Sequence, residues 1–409
     1  MKTLICIPCL LTGGTEIQTL NTVHALAQGG HEVTVACYFE HTPYMVERYR
    51  KAGAEVRLFS PEGTRVGGYR AIPYLYKHLR RTVKAVRPDV THVQYMAPGA
   101  MVILLLWLLG VKNIIATAHT SADIYKDLRL IHFLLRHILR AFTCITERAE
   151  RSFFGTSQLY TTETVLGKRN HFTIYNSLPI NLERSCSQQS TVNGQQTGHP
   201  DGDIQHSTLT LAPAGVDLRF NIQHNHRTFA VIGVVSRLEP IKGMDLVVPA
   251  FAEVLKRYPE VRLLVVGDGS LRATMEQQAA ELGCADRITW VGRQPQEELA
   301  QWYGQMDIVL MPSRSEGFGL TAIEAMANGC VMVASNVGGL PEVVSDGICG
   351  LLHRTEDVHD MVEKICMLLD DATLYDRLRV QSLTEVKKYS FEYYAALINN
   401  LYGRLVLSD

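Results

Sequence analysis

Twice along this chain, short apolar runs alternate with segments of helical periodicity, and one polar segment separates the two series. No other feature constrains the fold as much. In the first series, residues 3–9 read as a buried strand, Gly13-Gly14 as a turn, residues 15–28 as a helix ended by Gly29-Gly30, and residues 32–38 as the next strand. Further strands are expected at 90–94 and 114–118. In the second series, strands are expected at 229–236, 261–266, 288–291, 308–311 and 331–335, with a helix over 244–257 and helical segments between the later strands. Strand–helix alternation of this kind requires crossover connections and therefore parallel sheets. The expectation is an α/β chain of two doubly wound halves.

The segment from 185 to 208 has Val192 and Ile204 as its only aliphatic residues and cannot bury enough surface to fold alone. It is expected to be mobile and cut readily by proteases. The chain thus divides into 1–181, a polar insert at 182–228, a second domain at 229–388, and a terminal helix within 389–409 that can pack back on the first domain. His199, His206, His224 and His226 in the insert invite a metal reading, but polar linkers collect histidines freely. Asp201-Gly202-Asp203 also lies there rather than at the end of a buried strand. A metal site is therefore not expected.

Net charge is −1, against a nucleic-acid partner, yet residues 1–181 carry 21 Lys+Arg against 12 Asp+Glu while the remainder carries 19 against 29. The first half is suited to face something anionic, or the two halves attract each other. Nine scattered cysteines fit reduced thiols better than a disulfide framework. Cys6-Ile7-Pro8-Cys9 has the spacing of a redox motif, but the glycine pair after it and the lack of other redox signals weigh against that reading. The longest apolar run, 100–109, falls short of the ~18 residues of a membrane span.

Chemistry concentrates in two motifs. After strand 229–236 come Arg237 and, five residues on, Lys242 in Arg-Leu-Glu-Pro-Ile-Lys-Gly, two cations at the carboxyl end of a strand, where open α/β sheets bind ligands. They suit a diphosphate. The other motif is Pro-Ser-Arg-Ser-Glu-Gly-Phe-Gly-Leu at 312–320, followed by a helix carrying Glu324. Gly317 and Gly319 let backbone amides approach an anion, and Glu316 and Glu324 can each accept hydrogen bonds from adjacent hydroxyls.

With these pieces the chain resembles the retaining sugar-nucleotide glycosyltransferases of family 4, whose GT-B fold has two facing Rossmann-like domains and a C-terminal helix crossing back to the first. The resemblance rests on Gly-Gly-Thr-Glu at 13–16, Gly-Gly-His-Glu-Val at 29–33, Arg-Pro-Asp-Val at 87–90, Arg237 with Lys242, Gly-Asp-Gly at 267–269, and Glu316 with Glu324. It implies that Arg237 and Lys242 bind the donor diphosphate, Glu324 the ribose and Glu316 the transferred sugar. It implies further that Gly267, Gly317, Phe318, Gly319 and Leu320 line the donor site, that residues near Arg293 contact the base, and that Gly13 and Gly14 line the cleft from the first domain. His119 ends a strand where the family carries His-Asp; here Thr120 follows. By the resemblance His119 contacts the donor sugar or the transition state. Of two segments similar to the family's interdomain junction, 173–179 and 211–217, the first is taken as the junction.

The implied function is a retaining, metal-independent transfer of a hexosyl-type sugar from a nucleotide-diphosphate sugar such as a UDP-sugar to a glycan or lipid-linked acceptor, in envelope polysaccharide or glycolipid synthesis. A sugar-nucleotide epimerase and an inactive sugar-nucleotide-binding subunit are the rivals. The expected location is the cytoplasm, with the inner face of an anionic membrane as a candidate contact. That contact is suggested by Arg65, Arg70, Lys77, Arg80, Arg81, Lys84 and Arg87 interleaved with Tyr69, Tyr74, Leu75 and Tyr76, and by a second basic and apolar helical stretch over 124–142.

Overall fold

Each apolar run of the first series becomes a parallel strand, as expected for runs flanked by helices on both faces. The computed structural model describes residues 1–125, 128–179 and 230–407. The strands are β1 (Lys2–Ile7), β2 (Glu32–Cys37), β3 (Ala54–Leu58), β4 (Val90–Gln94), β5 (Ile114–Ala118), β6 (Ala141–Cys144) and β7 (Asn170–Thr173). The helices are α1 (Gly14–Gln28), α2 (Pro43–Lys51), α3 (Ala71–Val86), α4 (Met96–Leu108), α5 (Arg129–His137) and α6 (Glu147–Phe154). Every residue of β4 and β5 is buried. The sheet order is β3-β2-β1-β4-β5-β6-β7, so the winding reverses between β1 and β4. The carboxyl ends of β1, β4 and β5 therefore meet at the topological switch point.

The second series gives β8 (Val231–Val235), β9 (Arg262–Val266), β10 (Ile288–Gly292), β11 (Ile308–Met311), β12 (Val331–Ser335) and β13 (Gly350–His353). Its helices are α7 (Val247–Arg257), α8 (Arg272–Glu281), α9 (Leu299–Tyr303), α10 (Leu320–Ala327), α11 (Leu340–Val343), α12 (Val358–Asp370) and α13 (Ala372–Glu385). The order β10-β9-β8-β11-β12-β13 repeats the first pattern, with its switch point between β8 and β11. By contacts the chain forms two compact units. One holds Met1–Pro179, Glu316–Leu320 and Lys388–Asp409; the other holds the rest.

The last helix, α14 (Phe391–Leu407), belongs to the first unit. Tyr394, Leu397, Ile398, Leu401, Tyr402 and Leu405 join the core that α1 forms with the sheet. Polar contacts fix its register: the Tyr394 hydroxyl lies 2.7 Å from Thr22 Oγ1, and Asn399 Nδ2 donates to the Ala25 carbonyl at 3.0 Å.

The structure departs from the sequence reading in several places. Residues 124–142 are not one amphipathic stretch: α5 ends at His137, and Phe142 is fully buried in β6. Leu75 is core rather than surface, and the Tyr74 hydroxyl donates to the Tyr38 carbonyl. The helix expected from Met244 begins as a 3₁₀ turn, with α-helix only from Val247. The polar insert, its histidines, Asp201-Gly202-Asp203 and the second junction-like segment lie outside the described residues.

Candidate functional site

In the second unit, fully buried β8 delivers the chain into a loop held on both sides. Arg237 is exposed there and Lys242 half-buried, closing a 3₁₀ turn over Pro240–Lys242. The next residue, Gly243, has φ +66°, and a Cβ on it would lie 2.0 Å from the Pro312 carbonyl oxygen, so only glycine fits. Arg314 ties the loop down. Its guanidinium donates to both Asp245 carboxylate oxygens at 2.6 and 2.8 Å and to the Pro240 carbonyl, and its backbone N–H donates to Ile241 O at 3.0 Å. The hydrogen-bonded guanidinium holds the Asp245 carboxyl below its usual range. A bidentate pair of this kind gives geometric definition to the Arg237–Lys242 loop.

The Gly-Asp-Gly loop after β9 braces the other side. Gly267, at φ +135°, leaves room for a Cβ only 1.8 Å from the Ser236 carbonyl oxygen. Leu238 N–H donates to Asp268 O at 3.0 Å, and Ser270 donates to Glu239 from its backbone at 3.1 Å and its hydroxyl at 2.6 Å. Gly267 N–H also donates to Gly292 O at 2.8 Å, which places exposed Arg293 one residue beyond this brace.

Glu324 sits inside α10, 5% exposed. Gln296 Nε2 donates to one carboxylate oxygen at 2.8 Å and the buried Tyr303 hydroxyl to the other at 2.9 Å. Burial outweighs these bonds and pushes its pKa up to about 7. A carboxylate offers about four lone-pair directions, so two acceptor positions are left for further hydroxyls.

Within the first unit, Gly13 and Gly14 open α1. A Cβ on Gly13 would lie 2.5 Å from Glu16 Oε2, and one on Gly14 3.4 Å from Leu320 Cδ1. The buried Glu16 carboxylate accepts from Cys9 Sγ and the Tyr95 hydroxyl, each at 3.2 Å. Burial holds the thiols of Cys6 and Cys9 up at about 12, which argues against a reactive thiolate in the Cys6-Ile7-Pro8-Cys9 run. His119 follows β5, 8% exposed, with Nε2 2.8 Å from Gln94 Oε1 and the Tyr95 ring centroid 5.3 Å away. Burial lowers its pKa to about 3, so the ring is neutral. A Cβ on Gly317 would lie 2.5 Å from the His119 carbonyl oxygen, and buried Phe318 packs edgewise on Tyr389. Gly319, at φ +105°, turns the chain into α10, and Glu316 is half-buried at the head of this loop. Junction residue Ser177 is anchored by Gln18, which accepts its N–H at 3.1 Å, and by Asn21, which donates to its hydroxyl at 3.0 Å.

The structure adds Arg314, Asp245, Gln296, Tyr303, Gln94 and Tyr95 to the residues named from sequence. Arg314 stood inside a quoted motif; the others carried no local signal. Among the described residues, no group of three or more His, Cys, Asp or Glu side chains is placed to hold a metal ion.

Two family profiles match the chain in succession: Glycosyltransferase Family 4 over residues 12–156 and Glycosyl transferases group 1 over residues 218–382. The chain belongs to the group 1 glycosyltransferases of family 4 type, with the GT-B fold. A D-inositol 3-phosphate glycosyltransferase of Nocardia farcinica is 41% identical over 163 residues, 38% of this chain and 36% of the relative. One of Corynebacterium efficiens is 34% identical over 185 residues, 44% of each chain. The matched region thus spans well under half the length of these relatives. Among solved structures, Anabaena Alr3699/HepE in complex with UDP aligns over 100% of both chains at 18% identity, with a TM-score of 0.72. Sucrose-phosphate synthase of Thermosynechococcus elongatus aligns over 100% of both at 20% identity and TM-score 0.69. At those identities the likeness is one of fold.

Proposed function

We propose that this chain transfers a hexosyl-type sugar from a nucleotide-diphosphate sugar to an acceptor hydroxyl, with retention of anomeric configuration and without a metal ion. The observation that carries the reading is the braced loop presenting Arg237 and Lys242 at the carboxyl end of β8, beside the switch point of the second sheet. As the anomeric centre becomes cationic, negative charge builds on the departing diphosphate, and preorganised cations aimed at that charge stabilise the transition state. Arg237 and Lys242 take the diphosphate, with Gly317 and Gly319 letting amides approach; Glu324 takes the ribose hydroxyls, Glu316 the sugar being transferred, and backbone near Arg293 the base. His119 contacts the sugar. UDP bound to Anabaena HepE supports a UDP-sugar as donor.

For the acceptor, a glycan or lipid-linked hydroxyl in envelope polysaccharide or glycolipid synthesis is the first reading. Aromatic and aliphatic side chains exposed on three helices of the basic half, among them Tyr76, Trp107 and Phe133, support contact with an anionic membrane. A second reading follows from the names of the relatives, D-inositol 3-phosphate, an anionic acceptor suited to the basic first half. Both are tested by incubating purified protein and UDP-sugars with lipid extract or with inositol 3-phosphate in excess chelator, and recording product NMR. Labelled product of unchanged anomeric configuration supports the proposal. Mn²⁺-dependent activity or an inverted product overturns the mechanism, and a sugar altered while still on the nucleotide identifies an epimerase.

A further inference from the structure

Behind His119 lies a buried run of polar side chains that the reaction as proposed does not use. Gln94 Oε1 is 2.8 Å from His119 Nε2, and the amide nitrogen of Gln94 is 3.5 Å from His92 Nε2. His92, 4% exposed, has its Nε2 2.6 Å from Thr117 Oγ1 and its Nδ1 2.5 Å from the Tyr402 hydroxyl on α14. Thr117 in turn lies 2.6 Å from Thr143 Oγ1. All of these groups belong to the first unit.

An amide oxygen only accepts and an amide nitrogen only donates, so proton positions along this run depend on one another. With Gln94 Oε1 facing His119, Nε2 of His119 must carry the hydrogen. The Gln94 amide then donates toward His92 Nε2, which also accepts from the Thr117 hydroxyl, and Thr117 accepts from Thr143 at 2.6 Å in preference to the Ala116 carbonyl, which lies 3.5 Å from the same Thr143 hydroxyl. Neutral His92 has its one hydrogen on Nδ1 and gives it to the Tyr402 oxygen. The Tyr402 hydroxyl proton can point into a cavity of about 20 Å³ that Gln18, Thr22 and Tyr394 also line. Turning the Gln94 amide over would reverse every one of these bonds together.

We infer that Gln94 is a positioning residue: held from behind by His92 and Tyr402, it fixes His119 in the Nε2–H tautomer and leaves Nδ1 as a hydrogen-bond acceptor. The inference rests on the proposed role of His119 at the sugar and makes it specific. A lone pair at Nδ1 accepts from a sugar hydroxyl and is repelled by a phosphate oxygen, so the group His119 recognises is a hydroxyl. Burial keeps both rings neutral, with pKa values near 3, and so the tautomer rather than the charge is the controlled variable. Tyr95 fits the same picture. Its φ of +61°, a conformation that non-glycine residues rarely adopt, sets the Tyr95 ring beside His119 directly after Gln94 has bonded it.

The test is long-range ¹H–¹⁵N NMR of full-length protein labelled at histidine, with His119 assigned by the signals lost in His119→Ala, combined with kinetics on the best UDP-sugar. Wild type should show His119 as a single Nε2–H tautomer. Gln94→Leu should give mixed tautomers and a kcat lowered about tenfold, with the Gln94→Leu/His119→Ala double variant no worse than His119→Ala alone. Tyr402→Phe removes the far acceptor and should disturb the His119 signals across the intervening residues. An Nδ1–H tautomer in wild type, which needs no variant to fold, overturns the inference, as does a Gln94→Leu spectrum unchanged at His119. Unchanged His119 signals in Tyr402→Phe would overturn the part that runs through α14. Full activity of His119→Ala would overturn the sugar role while the spectra still decide the relay.

Discussion

Glu324 is buried where a carboxylate is costly, and its ionisation is therefore a usable probe of the donor site. Its pKa of about 7 in the folded chain lies above the ordinary value near 4.5. The folded state thus holds a proton that the unfolded state releases between those values. The contribution is fully present below about pH 4.5 and is lost as pH rises through 7, on the order of 3 kcal/mol in all. Glu324→Gln should flatten this fall, measured as Tm against pH for the two proteins. In the proposed role ribose hydroxyls bind the ionised form, so the wild-type donor KM should drop as pH rises through about 7, whereas Glu324→Gln should show a raised, pH-independent KM. In the proposed reaction Arg237 and Lys242 act when charge develops on the leaving group. Either alanine variant should lower kcat by on the order of 10² with folding intact, and a rise in KM alone would reassign the loop to ground-state binding. These candidates could be named from the sequence because two cations at a strand end and a glutamate beside a glycine loop are the chemistry that a diphosphate and a diol would demand. Tyr303, Gln296 and Asp245 could not: they stand 21, 28 and 69 positions from the residues they hold, and an ordinary Tyr, Gln or Asp on a helix or turn carries no mark of its partner.

At the scale of elements, the loops are fixed by backbone contact, and two glycines separate the possible causes. Gly283 has φ +67° with nothing within 4 Å of its absent Cβ, so Gly283→Ala should cost only the conformational penalty, about 1 kcal/mol. Gly267 combines φ +135° with a carbonyl 1.8 Å away, so Gly267→Ala should cost about 3 kcal/mol or more and raise the donor KM as the loop before Arg237 is displaced. Thermal melts of both variants decide the point, and equal shifts would mean that the Gly267 contact yields without cost. The elements read from the sequence were those with strong patterns. β5, β11 and β12 coincide with expected runs because strands buried on both faces are mostly apolar or β-branched, and β4 coincides on Val90, Thr91 and Val93 although His92 and Gln94 are buried within it. β7 and β13 interrupt their four-residue runs with Asn170, His171, Gly350 and His353, whereas the four residues of β11 are all apolar, and β3 carries Glu55 and Arg57 on a partly exposed edge. α5 and β6 follow so closely that their apolar residues read as a single helical stripe.

The molecule as a whole is electrically lopsided, and its positive half also carries exposed apolar residues on neighbouring helices. α3 packs beside α4, and α4 beside α5. Tyr69 before α3 is 78% exposed, Trp107 and Leu108 on α4 are 51% and 67% exposed, and Phe133 on α5 is 48% exposed. Lys77, Arg80, Arg81 and Lys84 are exposed on α3, while Leu75, Leu79 and Val86 face the core, so the helix presents charge and tyrosine to one side and packing to the other. Among the described residues no helix is long and apolar enough to cross a bilayer, and attachment through this face would be interfacial. Each basic residue near an anionic surface contributes about 1 kcal/mol, so four of them amount to roughly 10³ in affinity at low ionic strength, falling as salt shortens the screening length. Sedimentation with vesicles containing phosphatidylserine should therefore show binding at low salt, partial release at high salt, and almost none with zwitterionic vesicles. Reversing Lys77, Arg80, Arg81 and Lys84 to Glu together should abolish binding, and Trp107→Ala with Phe133→Ala should remove the salt-resistant part, donor KM being unchanged in both. If wild type stays in the supernatant at low salt, the membrane contact is wrong. The soluble anionic acceptor then becomes the reading that best accounts for the positive charge of the first half.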